Sequence, residues 1–237
     1  PDALWPQLRA PARAQGVTRF SLLLAGYFLL LHRLTGQCDL VCGIPFAGAA
    51  RGGGARVVGD TDNTLPLRIR VEPEEHLRDF VRRVHDAMRE AALHQDVSLG
   101  RIVRALPLTR EPGRLMLVES ILSLNPAIER LRFDGVDCRM RAMPHQAAAW
   151  ELAWQWRPLS GGTVLEVQYH SDLYFPATIP AWCAAYLGLL ARIAQGDGVR
   201  VADARLDTAD REGFSLVDDR GRDHVDANKA RSATIER

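Results

Sequence analysis

Thirty basic side chains are matched by twenty-nine acidic ones in 237 residues, leaving a formal charge of only +1. Gripping a nucleic-acid backbone takes a basic stripe or face, so no nucleic-acid partner is expected. Long hydrophobic runs are also lacking: the longest, Phe20 to Leu31, has twelve residues, where a membrane helix needs roughly twenty. It reads as a buried helix, and no membrane partner is expected. The chain opens on Pro1-Asp2 with neither the basic start nor the apolar centre of a secretory signal, which points to a cytoplasmic protein. Cysteine is scarce, and Cys38, Cys42, Cys138 and Cys183 show no Cys-x-x-Cys spacing. Buried free thiols are expected in place of disulfides, and no metal site.

A content of 47% hydrophobic and 25% charged residues is that of a globular chain with a sizeable core,. Leu8 to Ala14 has the pattern of a short amphipathic helix. Thr18 is placed to cap an apolar helix that ends at Gly36,. A hydrophobic strand is expected over Leu40 to Ile44, then a loop rich in Gly, Ala and Arg from Ala47 to Arg56,. Thr64 to Val71 alternates, with Leu65, Leu67 and Ile69 on one face and Pro66, Arg68 and Arg70 on the other,. Leu77, Phe80, Val81, Val84 and Met88 recur at helical spacing and predict a helix that covers a sheet,. Further strands are expected at Leu115 to Leu124, Trp150 to Trp156 and Thr163 to Tyr169, and a last helix at Pro180 to Ala194. From Gly196 the chain turns polar, and Asp218 to Lys229 reads as a linker. Strands mixed with helices of this length predict an α/β fold, a two-layer sandwich of a mixed β-sheet covered by helices.

Several segments, in order, carry a resemblance. Gly16-Val17-Thr18-Arg19-Phe20, Leu31-His32-Arg33-Leu34-Thr35-Gly36 and Val41-Cys42-Gly43-Ile44-Pro45-Phe46-Ala47-Gly48 open it. Gly59-Asp60-Thr61-Asp62-Asn63-Thr64-Leu65-Pro66-Leu67-Arg68 fits Gly-x-x-x-Asn-Thr-Leu-Pro-Leu-Arg. His94-Gln95-Asp96-Val97-Ser98-Leu99 and Tyr169-His170-Ser171-Asp172-Leu173-Tyr174 follow, with Ala177-Thr178-Ile179 behind them. Together they resemble the C-terminal subdomain of nonribosomal peptide synthetase condensation domains, which have a chloramphenicol acetyltransferase-like fold. The resemblance implies a lobe over residues 1–210 and a polar linker over 211–237. Ser232-Ala233-Thr234-Ile235-Glu236 looks like the opening of an adenylation domain, so the natural protein is expected to continue beyond Arg237.

It also implies a function: amide formation between a carrier-bound acyl or peptidyl donor and an aminoacyl acceptor. The implied partners are the N-terminal lobe of the same domain, the donor and acceptor peptidyl carrier proteins, and an adjacent adenylation domain. No cofactor is expected to bind directly, the substrates riding on the phosphopantetheine of the carriers. The family signature His-His-x-x-x-Asp-Gly belongs to the first lobe. No two histidines are adjacent in these 237 residues, so no catalytic residue is assigned.

Asn63, Arg68, Asn125, Asp60 and Asp62 are the candidates for a substrate tunnel or lobe interface. Two readings stand side by side for the first two: direct substrate contact, or a turn supported by Asn63 and a carboxylate paired with Arg68. His94 and Asp96 lie on different faces of a helix end, and Asp96 is expected to cap a helix over Leu99 to Leu106. Asn125 matches an Asn that ends a family strand near the lobe crossover. Trp154 and Trp156 are expected in the core, and Asp172 to hold the turn before the last helix. Asp60 and Asp62 stand where the family usually has aromatic or aliphatic residues, and Arg110-Glu111-Pro112-Gly113-Arg114 departs from its Asn-Pro pattern. The alternatives are a lobe of an epimerisation or cyclisation domain, and a non-catalytic module that docks carrier proteins.

Overall fold

Helix α3 (Arg19–Thr35) begins where Thr18, in extended conformation, accepts the Ser21 N–H on its hydroxyl at 3.1 Å, and stops at Gly36. That glycine has φ +73°, and its N–H closes on His32 O at 2.8 Å. A side chain there would meet the steric cost of the left-handed region. Between these ends Leu22 to Leu30 are all buried, so the helix is enclosed on nearly every side. The computed structural model that shows this describes residues 4–46, 62–109, 115–126, 149–159, 162–196 and 198–204.

Around α3 stand α1 (Leu4–Gln7), α2 (Arg9–Gln15), α4 (Leu77–Leu93) and α6 (Thr178–Gln195), with α5 (Leu99–Ala105) set apart at a sheet end. Five strands, β1 (Asp39–Phe46), β2 (Asn63–Arg70), β3 (Ser120–Leu124), β4 (Leu152–Leu159) and β5 (Gly162–Tyr169), form one sheet in the order β2-β1-β3-β4-β5. The central three run parallel and the two outer strands antiparallel to their neighbours. Leu65, Leu67 and Ile69 of β2, and Leu152, Trp154 and Trp156 of β4, are buried in the same core cluster as α3 and α6, apart from Leu65. The fold is the mixed-sheet, two-layer α/β sandwich expected from the alternation of patterns.

At the centre four rings pack together: Tyr27, Trp154, Trp156 and Tyr186, with centroids 5.1 to 6.2 Å apart. The polar atoms of three of the four have hydrogen-bond partners, and the Trp154 indole N–H has none among the described residues. Tyr186 donates its hydroxyl to Leu23 O at 2.9 Å and accepts the Trp156 indole N–H at 3.2 Å. Tyr27 shares a hydrogen bond of 2.7 Å with the Ser120 hydroxyl, tying α3 to β3. Burial pushes both phenols up, beyond ordinary titration,.

Some expectations are corrected. The helix expected over Leu8 to Ala14 is α2 (Arg9–Gln15), and a further short helix, α1, precedes it; Pro11 lacks the N–H that would join the two ladders,. The third strand is confined to Ser120–Leu124. Just before it, Val118 N–H reaches Met116 O at 2.8 Å and Leu117 has φ +69°, a strained three-residue turn,. Val118 thereby lies over Gly43, where an added Cβ would come within 2.6 Å of it. The N-cap position of α5 is Ser98, not Asp96. The turn before α6 is closed by Leu173 and Tyr174 N–H groups on His170 O, with Asp172 exposed. Beyond Gly196, where the chain turns polar, it still packs on the core. Val201 and Ala204 are buried, and Arg33 donates to the carbonyls of Val201, Ala202 and Ala204 at 2.6 to 3.1 Å. Two valines, Val199 and Val201, in a polar stretch have too little periodicity to announce this packing. Of the thiols, Cys42 is buried, while Cys38 and Cys183 are half-buried and free. The loop Ala47 to Arg56, Asp60, Arg110 to Arg114, Cys138, His145 and the linker 211–237 lie outside the described residues.

Tyr186→Phe should lower stability by about 1–3 kcal/mol, since it strands the Trp156 N–H in the core,. Denaturant unfolding checks it, and an unchanged midpoint would mean that the indole N–H does not depend on that hydroxyl.

Candidate functional site

The parallel strands β1, β3 and β4 bring their C-terminal ends to one edge of the sandwich, the side of a parallel sheet where side chains and loops converge. Register places Phe46 opposite Asn63, and Leu124 opposite Trp156 with Asn125 just beyond. Asp62, Asn63 and Asn125 therefore share this edge, the two asparagines separated by two strand spacings, roughly 10 Å. Arg68 is opposite Val41, two residues from the start of β1, toward the other edge. The four described candidates thus do not form one cluster.

Asn63 spends its amide on the backbone of the α4–α5 connection. Its Nδ2 donates to Gln95 O at 2.7 Å and Val97 O at 3.0 Å, and its Oδ1 accepts the Leu99 N–H at 3.4 Å. That last contact supplies an orphan donor at the start of α5, whose Ser98 makes no side-chain cap,. Two motifs well separated in sequence thus meet through one side chain. Arg68 forms a fork with Asp39, Nε to Oδ1 at 2.8 Å and Nη2 to Oδ2 at 2.6 Å. The hydrogen bonds from Arg68 hold the Asp39 carboxyl below the usual carboxylate range. Asp62 is exposed. Asn125 donates Nδ2 to Gln155 Oε1 at 3.4 Å, and its backbone N–H meets Trp156 O at 2.9 Å.

Gln155 leads to a group that the sequence did not announce. On the sheet face turned away from the helices, Arg157 donates Nη2 to Gln155 Oε1 at 2.8 Å and pairs through Nε with Glu166 Oε2 at 2.7 Å. Gln168 donates to the other Glu166 oxygen at 3.1 Å. Strand alternation sets Gln155 and Arg157 on the face opposite Trp154 and Trp156, and says nothing about partners on that face,.

Other combinations lack chemistry. Ser21 Oγ lies 2.8 Å from His85 Nδ1, the geometry of a nucleophile and base, but Ser21 is fully buried and bonded to the Thr18 cap. His94 Nε2 contacts Glu90 at 3.4 Å on an exposed surface. Burial pushes the Cys42 thiol up to about 12 and Cys183 to about 11, so neither is a nucleophile at neutral pH,. A groove of about 520 Å³ between α2 and α6 is walled by Ala10, Ala14, Ala191 and Ala194 and has no ionisable lining. Among the described residues no three His, Cys, Asp or Glu side chains are grouped to hold a metal ion. No single described helix is long and apolar enough to cross a membrane.

Two outcomes follow from these contacts. Asn63→Ala should cost about 1–2 kcal/mol, by loss of partly buried hydrogen bonds, and speed amide exchange around Val97 and Leu99. Exchange that rises equally over the whole chain would count against a local clamp. For Arg68→Ala, the folded-state carboxyl of Asp39 titrates below its unfolded value, so the pair stabilises above about pH 4 and that contribution is lost as pH falls through the lower value,. The melting-temperature difference between wild type and variant should be small, because both groups are exposed, and should close on acidification,. A gap that widens below pH 4 would contradict this.

Comparison with known proteins fits this geometry. The condensation-domain family matches residues 2–212. A linear gramicidin synthase protein of Brevibacillus parabrevis is 29% identical over 193 residues, 79% of this chain and 2% of that protein. A plipastatin synthase protein of Bacillus subtilis (strain 168) is 29% identical over 229 residues, 95% of this chain and 9% of that protein. The chain thus spans a small part of these relatives. Among solved structures, the first condensation domain of the calcium-dependent antibiotic synthetase, in complex with a substrate analogue, has a TM-score of 0.68 at 25% identity, covering 85% of this chain and 46% of that one. A four-domain nonribosomal peptide synthetase bound to AMP and glycine gives 0.74 at 19%, covering 88% of this chain and 17% of that one. The X-domain from teicoplanin biosynthesis gives 0.72 at 20%, covering 85% and 46%. With the family matched over residues 2–212, on a mixed five-stranded sheet whose quoted motifs meet at Asn63, the chain belongs to the condensation-domain family.

Proposed function

We propose that the chain is the second half of a nonribosomal peptide synthetase condensation domain, which joins a carrier-bound acyl or peptidyl donor to an aminoacyl acceptor. The observation that carries this reading is a pairing of two facts. The chain covers 46% of a solved condensation domain, and its 237 residues contain no adjacent histidines. The amine of the acceptor attacks the donor thioester carbonyl, and the group that handles the amine proton belongs to the other half. This half supplies one wall of the space in which both substrates are aligned. Placing two tethered reactants is worth several kcal/mol of barrier, and a positioned proton-transfer group about 10² to 10⁴-fold.

In this reading Asp62 and Asn125 border the substrate path at the C-terminal sheet edge, with Asp60 beside them in sequence. Asn63 acts through the α4–α5 connection it holds, and the Arg68–Asp39 fork lies toward the contact with the first lobe. The partners are that lobe, the donor and acceptor carrier proteins with their phosphopantetheine arms, and an adjacent adenylation domain, in a cytoplasmic assembly. A second reading, a non-catalytic docking module, has its own support: the X-domain from teicoplanin biosynthesis has been solved in complex with OxyB. The fold alone therefore does not imply amide chemistry.

The test is a mass-spectrometric condensation assay with loaded donor and acceptor carriers, using this chain alone and the complete domain. The chain alone should give no product above background, and the complete domain should. Product from the chain alone at the complete domain's rate would place the catalytic group here and return attention to His94 and His145. A complete domain that binds carriers without forming an amide would favour docking.

A further inference from the structure

The polar group on the sheet face away from the described helices is organised around one atom. Gln155 Oε1 accepts from Arg157 Nη2 at 2.8 Å and from Asn125 Nδ2 at 3.4 Å. Two donors on the carbonyl oxygen fix which way the amide faces, because the flipped amide would set N–H against N–H. Arg157 is itself held, its Nε 2.7 Å from Glu166 Oε2, and the other Glu166 oxygen accepts from Gln168. Arg157 and Glu166 are 27% and 18% exposed, too covered for the free tumbling of an ordinary solvated face.

This arrangement leaves donors unspent. Both hydrogens on Gln155 Nε2 and the Nη1 hydrogens of Arg157 meet no acceptor among the described residues. The charge is already balanced, Arg157 against Glu166. An anionic ligand would meet the Glu166 carboxylate beside the guanidinium, whereas a neutral carbonyl oxygen takes the free N–H groups with no such conflict. The chemistry selected is a neutral carbonyl, the class to which the amides of a tethered peptidyl chain belong.

We infer that Gln155 is a specificity-determining residue that donates one Nε2 hydrogen to an amide carbonyl of a carrier-tethered acyl chain, with Arg157 and Glu166 as positioning residues. The inference rests on the condensation reading above. The carbonyl has two possible sources, the pantetheine arm and the acyl or peptidyl group it carries. Both present the same chemistry to Gln155.

The experiment uses the complete condensation domain with Gln155→Met, which keeps length and removes both donors, and three soluble donor thioesters. One carries a peptidyl group on pantetheine, one the same group on a plain alkyl thiol, and one an acyl group without amides on that thiol. With the first, the variant should raise KM about 2- to 10-fold with little change in kcat, the size of one neutral hydrogen bond. A loss that persists on the alkyl thiol assigns the carbonyl to the peptidyl group, and one confined to pantetheine assigns it to the arm. The third probe should show no difference. Equal losses on all three, or no loss on any, would overturn the inference. Should Gln155→Met melt early, Glu166→Gln gives the second reading: a looser Arg157 should reproduce the amide-dependent KM pattern at smaller amplitude, and a lower melting temperature without that pattern would leave these residues a purely structural part. A wild-type domain that forms no amide removes the condensation reading itself, and this inference with it.

Discussion

Enclosure of α3 is the constraint on which the rest of the lobe depends. A helix with Leu22 to Leu30 buried on all sides cannot lie on a surface, so the chain must surround it,. The sheet covers one side, α4 and α6 flank it, and α1 and α2 close the remaining gap near the Trp5 stack on Trp156. Polar atoms inside this enclosure are costly, and the fold answers with short hydroxyl and indole contacts, Tyr186 to Leu23 and Tyr27 to Ser120,. The same enclosure explains why the C-terminal turn at Val201 returns to the body, held by Arg33 at the far end of α3.

All of the large described helices sit on one side of the sheet. Ile121 and Ala153 form only a small second cluster with Val118 on the other side, and polar side chains of β4 and β5 occupy the remainder. The strained turn at Leu117 belongs to this side: it sets Val118 over Gly43, a strand position with no room for a side chain. The helix side provides stability, and the other side presents ordered hydrogen-bond donors. Such a face suits the role proposed above, one wall of a site shared with a first lobe.

Local motifs and long-range geometry divide the work unevenly. Thr18 and Gly36 mark the ends of α3 because capping and positive φ are properties of a few consecutive residues. The role of Asn63 is not of that kind. Its three partners lie 32 to 36 positions away, and no spacing rule connects them. Asp96 looked like the cap of α5 by proximity, yet Asn63 reaches that helix start from the end of a strand. For Gln155 and Arg157, alternation tells which face a residue is on and nothing about what crosses the face to meet it.

Sequence by itself determined the class of fold, the elements with strong periodicity, the family, and the absence of a histidine pair, because these follow from composition, repeat and order along the chain. The sharing of one sheet edge by Asn63 and Asn125, the separation of Arg68 from them, and the polar row through Gln155, Arg157 and Glu166, one hydrogen bond and one ion pair, were decided by tertiary structure alone. Each depends on strand register, and register comes from the packing of the whole sheet on α3, which no segment contains.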